Sequence, residues 1–138
     1  QQWNDTPREM PAGMHVVGLE WPVEQINQRI NLRVRAMIEG GLEQEVMRLL
    51  AKGPINRQAI EAVGYREVLR AFAHEISIAE AEEEIKVRSR QYARQQRTWL
   101  RRFKAIRDAV WVDGPLRTTE EAAREVIEKF FPARARER

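Results

Sequence analysis

The chain contains no cysteine, which excludes structural disulfides, thiol nucleophiles and cysteine-rich zinc sites. Its two histidines, His15 and His74, lack metal-ligand spacing, so core or surface roles are expected for both. GxxxxGK[ST], GxSxG and HExxH are all missing, and with them the familiar phosphate-cradling, serine-nucleophile and zinc-peptidase arrangements. Carboxylates are plentiful but lie on faces rich in Lys and Arg, where solvated ion pairing is the ordinary role. No catalytic residue or metal ligand is therefore assigned. No apolar run approaches the roughly 20 residues needed to span a bilayer. The amino-terminal QQWNDTPREMPAG lacks the apolar core of a signal peptide, so a cytoplasmic location is expected. The chain does not begin with methionine, and the expectation is a fragment.

One segment lacks acidic residues altogether. Nine of the 24 Lys and Arg residues fall between Lys86 and Arg107 with no Asp or Glu among them, leaving 15 basic residues against all 21 acidic ones elsewhere. The net charge of +3 hides this segregation. A concentrated basic segment in an otherwise acidic chain is an electrostatic footprint for a polyanion, because each neutralised phosphate releases condensed counterions. At 138 residues the chain is one domain, or one piece of a larger one, and long enough to bury a core without disulfides or metal.

Met14 to Glu20 (MHVVGLE) is short, apolar and β-branched, which predicts a buried strand. After Trp21 and Pro22, apolar residues at Val23, Ile26, Ile30, Val34, Met37 and Ile38 predict a helix ended by Gly40 and Gly41. A second helix is expected from about Leu42 to Lys52, stopped by Gly53 and Pro54. A third helical stretch, Asn56 to His74, carries Gly64 in its middle, which predicts either a break or a close approach. Ser77 with Glu80 forms a capping box opening the longest helix, expected to reach about Arg107. AVWVD, from Ala109 to Asp113, predicts a second strand. Thr118 with Glu121 caps a last helix lined by Val126, Ile127, Phe130 and Phe131, and residues 132–138 are expected to fray. Two lone strands make no stable sheet by themselves, so pairing with strands outside this chain is expected. The fold class is mainly α, a helical bundle with two short strands cut from an α/β protein.

On a helical wheel Lys86, Arg90, Arg94, Arg97, Arg101 and Lys104 form one stripe about 80° wide. Ile78, Ala81, Ile85, Tyr92, Trp99, Phe103 and Ile106 occupy the opposite side. The expectation is an apolar back packed on the protein and a basic front of about five turns facing phosphates, with a merely solvated basic face as the alternative. Tyr92 and Trp99 are expected in the core, with base stacking as the other possibility. Arg88, Ser89, Gln95 and Gln96 interrupt the apolar side and require either a polar cavity, a ligand or exposure at its edge. Arg33 poses the same question in the first helix, where a desolvated arginine would face a carboxylate or a phosphate.

Three ordered blocks, RINLRVRAMIEGGLEQEVMRLL from Arg29, AVGYREVL from Ala62 and SRQYARQQRTWLRRF from Ser89, resemble the carboxy-terminal half of the tRNA dimethylallyltransferases, also called tRNA isopentenyltransferases. The resemblance runs from about Gln1 to Phe131. It implies a nucleotide-kinase-like α/β parent with a phosphate-binding loop and catalytic aspartate upstream of Gln1. It also implies Mg2+ and transfer of a dimethylallyl group from dimethylallyl diphosphate to N6 of an adenosine beside the anticodon. Carried over by position, the family's tRNA-contacting segments fall on Glu61, Ala62, Val63, Gly64, Tyr65 and Arg66, and on Arg94, Gln95, Gln96, Arg97, Thr98, Trp99, Leu100 and Arg101. Arg90 lies in the same basic stripe and is included with them. Arg29 and Arg33 match family arginines, and Arg33 is expected to point toward the diphosphate. Ser89 stands where the family usually has Thr. Gln95 replaces a usual basic residue, which removes one expected contact. The implied partner is the tRNA anticodon stem-loop, with the fragment inactive alone; the alternative is a stand-alone helical RNA-binding module.

Overall fold

In the computed structural model the residues described are 11, 13–107, 109–114 and 118–132. The chain divides into two compact units, one of Glu24–Gln95 and one combining the segments Gln1–Val23 and Gln96–Arg138. The expected fraying of 132–138 lies, apart from Pro132, outside the described residues.

The first unit is helical. Helix α1, Val23–Glu39, enters it and presents Ile30 and Val34 inward, with Ile26, Met37 and Ile38 packed beside them. This is the expected stripe, except that Val23 at its start is exposed. Gly41, at φ +99°, turns the chain into α2, Leu42–Ala51, which buries Leu42 and Val46. The expected third helix is broken. Asn56 caps the single turn α3, Arg57–Ile60, by accepting from the amides of Gln58 and Ala59. Gly64, at φ +106°, then opens α4, Tyr65–Phe72. Gly64 is therefore a break, and the reason is its backbone: a positive φ is strained for any residue with a Cβ.

Helix α5, Ile78–Leu100, starts at the expected capping box, with the Ser77 amide donating to Glu80 at 2.7 Å and the Glu80 amide to Ser77 Oγ at 3.2 Å. Ala81 and Ile85 are buried, and Ile85 joins Ile30, Val34, Leu42, Val46 and Val68 in one core. Burying side chains of this size stabilises a fold by about 1.5–3 kcal/mol each. Two ion pairs tie α4 to α5, Arg70 with Glu84 and Arg88 with Glu67.

The second unit contains strand β1, Val17–Glu20, and strand β2, Val110–Asp113. They pair with each other, in parallel and in register from Val17 with Val110 to Glu20 with Asp113, where pairing outside the chain was expected. Helix α6, Thr119–Phe130, packs on β2, and Val110 and Val112 are buried. That cover gives the pair the burial that two bare strands lack. β1 stays mostly exposed, with Val17 and Leu19 open, so it is not the buried strand that its composition suggests. The Trp111 ring lies against Gly18, where an added Cβ would meet it at 2.4 Å. α6 carries the expected box, Thr118 with Glu121. His15 stacks on Phe130 with ring centroids 4.2 Å apart.

Candidate nucleic-acid interface

The basic stripe is shorter than the wheel implies. Lys86 is 6% exposed and pairs with Glu82 at 2.6 Å and Glu83 at 2.7 Å. These carboxylates, first Glu82 and then Glu83, push its ammonium above the usual lysine range. They sit four and three residues upstream, the spacing at which helical side chains meet, just outside the acid-free window. Arg90 is half-buried and donates to Asn31 of α1 at 2.7 Å. The helix itself ends at Leu100, and Arg101–Ala105 tightens into a 3-10 turn. Lys104 in that turn donates to Glu20 at 2.5 Å and lies 5.2 Å from the Trp111 ring centroid. Of the other three residues in the stripe, Arg94 and Arg101 are exposed and Arg97 is half-buried.

The opposite side also differs from expectation. Tyr92 is 59% exposed and Trp99 53%, so neither is a core residue. Phe103 and Ile106 are half-buried, and Trp99 leans on Phe103 with centroids 4.8 Å apart. The wheel misleads here because it extrapolates the buried side of Ala81 and Ile85 past the end of the core. Ala93 is the furthest α5 residue packed against that core. Beyond it Arg94, Gln95, Gln96, Thr98, Trp99, Leu100 and Arg101 are all exposed, on every side of the helix. Gln95 and Gln96 thus meet water, while Arg88 meets a buried carboxylate.

That carboxylate was not anticipated. Glu67 is 1% exposed; one oxygen accepts from the Gly64 amide at 2.8 Å and the other from Arg88 Nη1 at 2.5 Å. Burial alone would push its carboxyl up, but the Arg88 guanidinium and the Gly64 amide outweigh this and hold it below the usual carboxylate range. The signal was present in the spacing Gly64-x-x-Glu67, the N-cap-to-N3 separation of a capping box, although glycine has no side chain to return the bond. Around it Glu61, Ala62, Val63 and Arg66 are exposed and Gly64 is buried. Tyr65 is half-buried and donates its hydroxyl to Glu45 of α2, whose carboxylate pushes the phenol up. The segment from Glu61 to Arg66 is thus an outward-facing turn on a buried anchor.

In the first helix Arg29 and Arg33 are both exposed. Arg33 is not desolvated, because the buried edge of α1 runs through Ile30 and Val34 and leaves it on the flank. Among the described residues no group of three or more His, Cys, Asp or Glu side chains is placed to hold a metal ion. No helix among them is long and apolar enough to cross a membrane.

Comparison with known proteins decides the family. A family model described as IPP transferase matches residues 1–103. The chain belongs to the IPP transferase family. The match takes in β1, α1–α5 and the start of the 3-10 turn, and stops before β2 and α6. A tRNA dimethylallyltransferase of Corynebacterium jeikeium is 41% identical over 124 residues, covering 86% of this chain and 38% of that protein. One from Staphylococcus carnosus is 43% identical over 98 residues, 71% of this chain and 30% of that protein. The crystal structure of a tRNA isopentenylpyrophosphate transferase from Staphylococcus epidermidis superposes with a TM-score of 0.73 at 29% identity. It covers 89% of this chain and 38% of that one. The chain spans about a third of the length of these relatives.

Proposed function

We propose that this chain supplies part of the tRNA grip of a tRNA dimethylallyltransferase, binding the anticodon stem-loop while the remainder of the enzyme carries out the transfer. The observation that carries this reading is the run from Arg94 to Arg101. It is charged, includes a half-exposed tryptophan, and is uncovered around its whole circumference except at Arg97. A helix end of this composition has no core of its own to pack on. Phosphates and unstacked bases are the ligands that suit an exposed surface of this composition, since stacking on an aromatic side chain is worth about 1–3 kcal/mol per base. The exposed Glu61–Arg66 turn, with Arg66, adds a second contact surface.

In the reaction implied by the family, a bond forms between adenosine N6 and the dimethylallyl carbon as the bond to diphosphate breaks. The amine proton passes to the aspartate expected outside this chain. N6 is inaccessible in a stacked loop, so the base must be drawn out, and the task of this chain is to hold the loop that releases it. Arg29 and Arg33, both exposed on α1, are the arginines assigned to the diphosphate on this reading. Such an enzyme works in the cytoplasm.

The test is titration of a fluorescent anticodon stem-loop with the 138-residue chain. Binding is expected, and Arg97→Ala with Arg101→Ala should weaken it by about tenfold or more, the scale of losing two phosphate contacts at low salt. Undiminished affinity in that double variant would sink the reading.

A further inference from the structure

Glu67 is a carboxylate buried between α4 and α5, a costly placement unless each lone pair does something. Its two oxygens serve different parts of the fold. One fixes a backbone amide, that of Gly64, whose positive φ creates the Glu61–Arg66 turn. The other holds Arg88 on α5, a residue whose side chain is 34% exposed. The turn therefore depends on Glu67 for its conformation at Gly64 and for its attachment to α5. The helices themselves have other ties: Arg70 pairs with Glu84 across the same two elements, and Val68 and Ile85 share the core. A carboxylate needed only to join α4 to α5 would be redundant.

We propose that Glu67 is a positioning residue for RNA, setting the Glu61–Arg66 turn through the Gly64 amide and locking it to α5 through Arg88. The turn then meets its ligand preformed, and little ordering entropy is lost on binding. This rests on the RNA-binding reading above, which already places the turn at the interface. What is added is that a buried anion, which no polyanion touches, raises affinity for one.

The sign of the effect separates this from charge alone. Removing a carboxylate makes the chain more positive, and simple electrostatics then predicts tighter binding to RNA. The proposal predicts the reverse for Glu67→Leu, a loss of about tenfold for the anticodon stem-loop, the scale of one charge-assisted contact. Glu67→Gln keeps an oxygen that can accept from Gly64 and should restore affinity to within about twofold, the limited effect of a neutral acceptor in place of a charged one. Circular dichroism of both variants monitors the fold, and hydrogen exchange at the Gly64 amide reads the turn: faster in Glu67→Leu, protected in Glu67→Gln. If Glu67→Leu does not fold, Glu67→Leu combined with Arg88→Met replaces it. This apolar exchange of a buried pair is commonly tolerated, and Arg88→Met alone is its control. The pair should bind more weakly than the control although it carries one more positive charge.

Equal or tighter binding by Glu67→Leu, or by the pair relative to its control, overturns the proposal while leaving RNA binding intact. Glu67→Gln as weak as Glu67→Leu also overturns it, because the Gly64 contact would then not be what matters. Failure of the unsubstituted chain to bind the stem-loop removes both readings.

Discussion

At Gly64 the backbone takes φ +106° and ψ −50°, and an added Cβ would lie 3.4 Å from Leu42 Cδ2. The contact is tolerable; the backbone angle is not. Gly64→Ala is expected to destabilise the fold by about 2 kcal/mol, the range for a residue forced into a sparsely populated backbone region, and chemical denaturation would measure it. Glu67 gives a pH dependence whose sign follows from its low folded-state pKa. Its stabilisation is complete above the unfolded value of about 4.3 and is lost as pH falls through the lower folded value. Stability measured in urea should therefore fall between pH 5 and strongly acidic conditions, and fall less in Glu67→Gln. The glycine was legible in the sequence, as an interruption in a helical pattern. The buried pair was not, because Arg88 lies 21 residues from Glu67 and a wheel registers only neighbours on one helix.

Elements defined by local chemistry came out as read. Both capping boxes sit where Ser77-x-x-Glu80 and Thr118-x-x-Glu121 place them, since three residues suffice to specify the geometry. Thr118→Ala removes the hydroxyl that accepts from the Glu121 amide and should cost about 1 kcal/mol, the usual value of such a cap, seen as a lower melting temperature. Where an element stops, by contrast, was misread whenever no glycine or proline marked the place. The end of α5 at Leu100 has neither. It falls seven residues beyond Ala93, the last α5 residue packed against the core, and nothing in the local sequence marks either place. Lys86 illustrates the same limit from the other side: its partners were in plain view at positions 82 and 83, but counting charges in a window excluded them. Since that ammonium is held above its usual range, its stabilisation persists below the unfolded value and disappears only in strongly alkaline solution.

At the scale of the molecule, the pattern of mainly helical structure with two short strands was legible, while the pairing of those strands with each other was not. A parallel pair needs a long crossover, and nothing in either four-residue strand names its partner. The correction to the basic stripe carries the larger functional consequence. Six cations in one stripe would give a log–log salt dependence of RNA affinity with a slope of roughly −4 to −5. The structure leaves Lys86 buried with two glutamates, Arg90 on Asn31 and Lys104 on Glu20. On the RNA-binding reading, Arg94, Arg97 and Arg101 are the stripe residues proposed to meet phosphate. At about 0.7–0.9 per neutralised phosphate, three contacts give a slope of about −2 to −3. Measuring stem-loop affinity across a salt series distinguishes the two values. Arg101→Ala should shallow the slope by a little under one unit, whereas Lys86→Met should leave it unchanged among molecules that remain folded. A slope near −5, or one that responds to Lys86, would mean that the paired cations leave their carboxylates to meet the RNA.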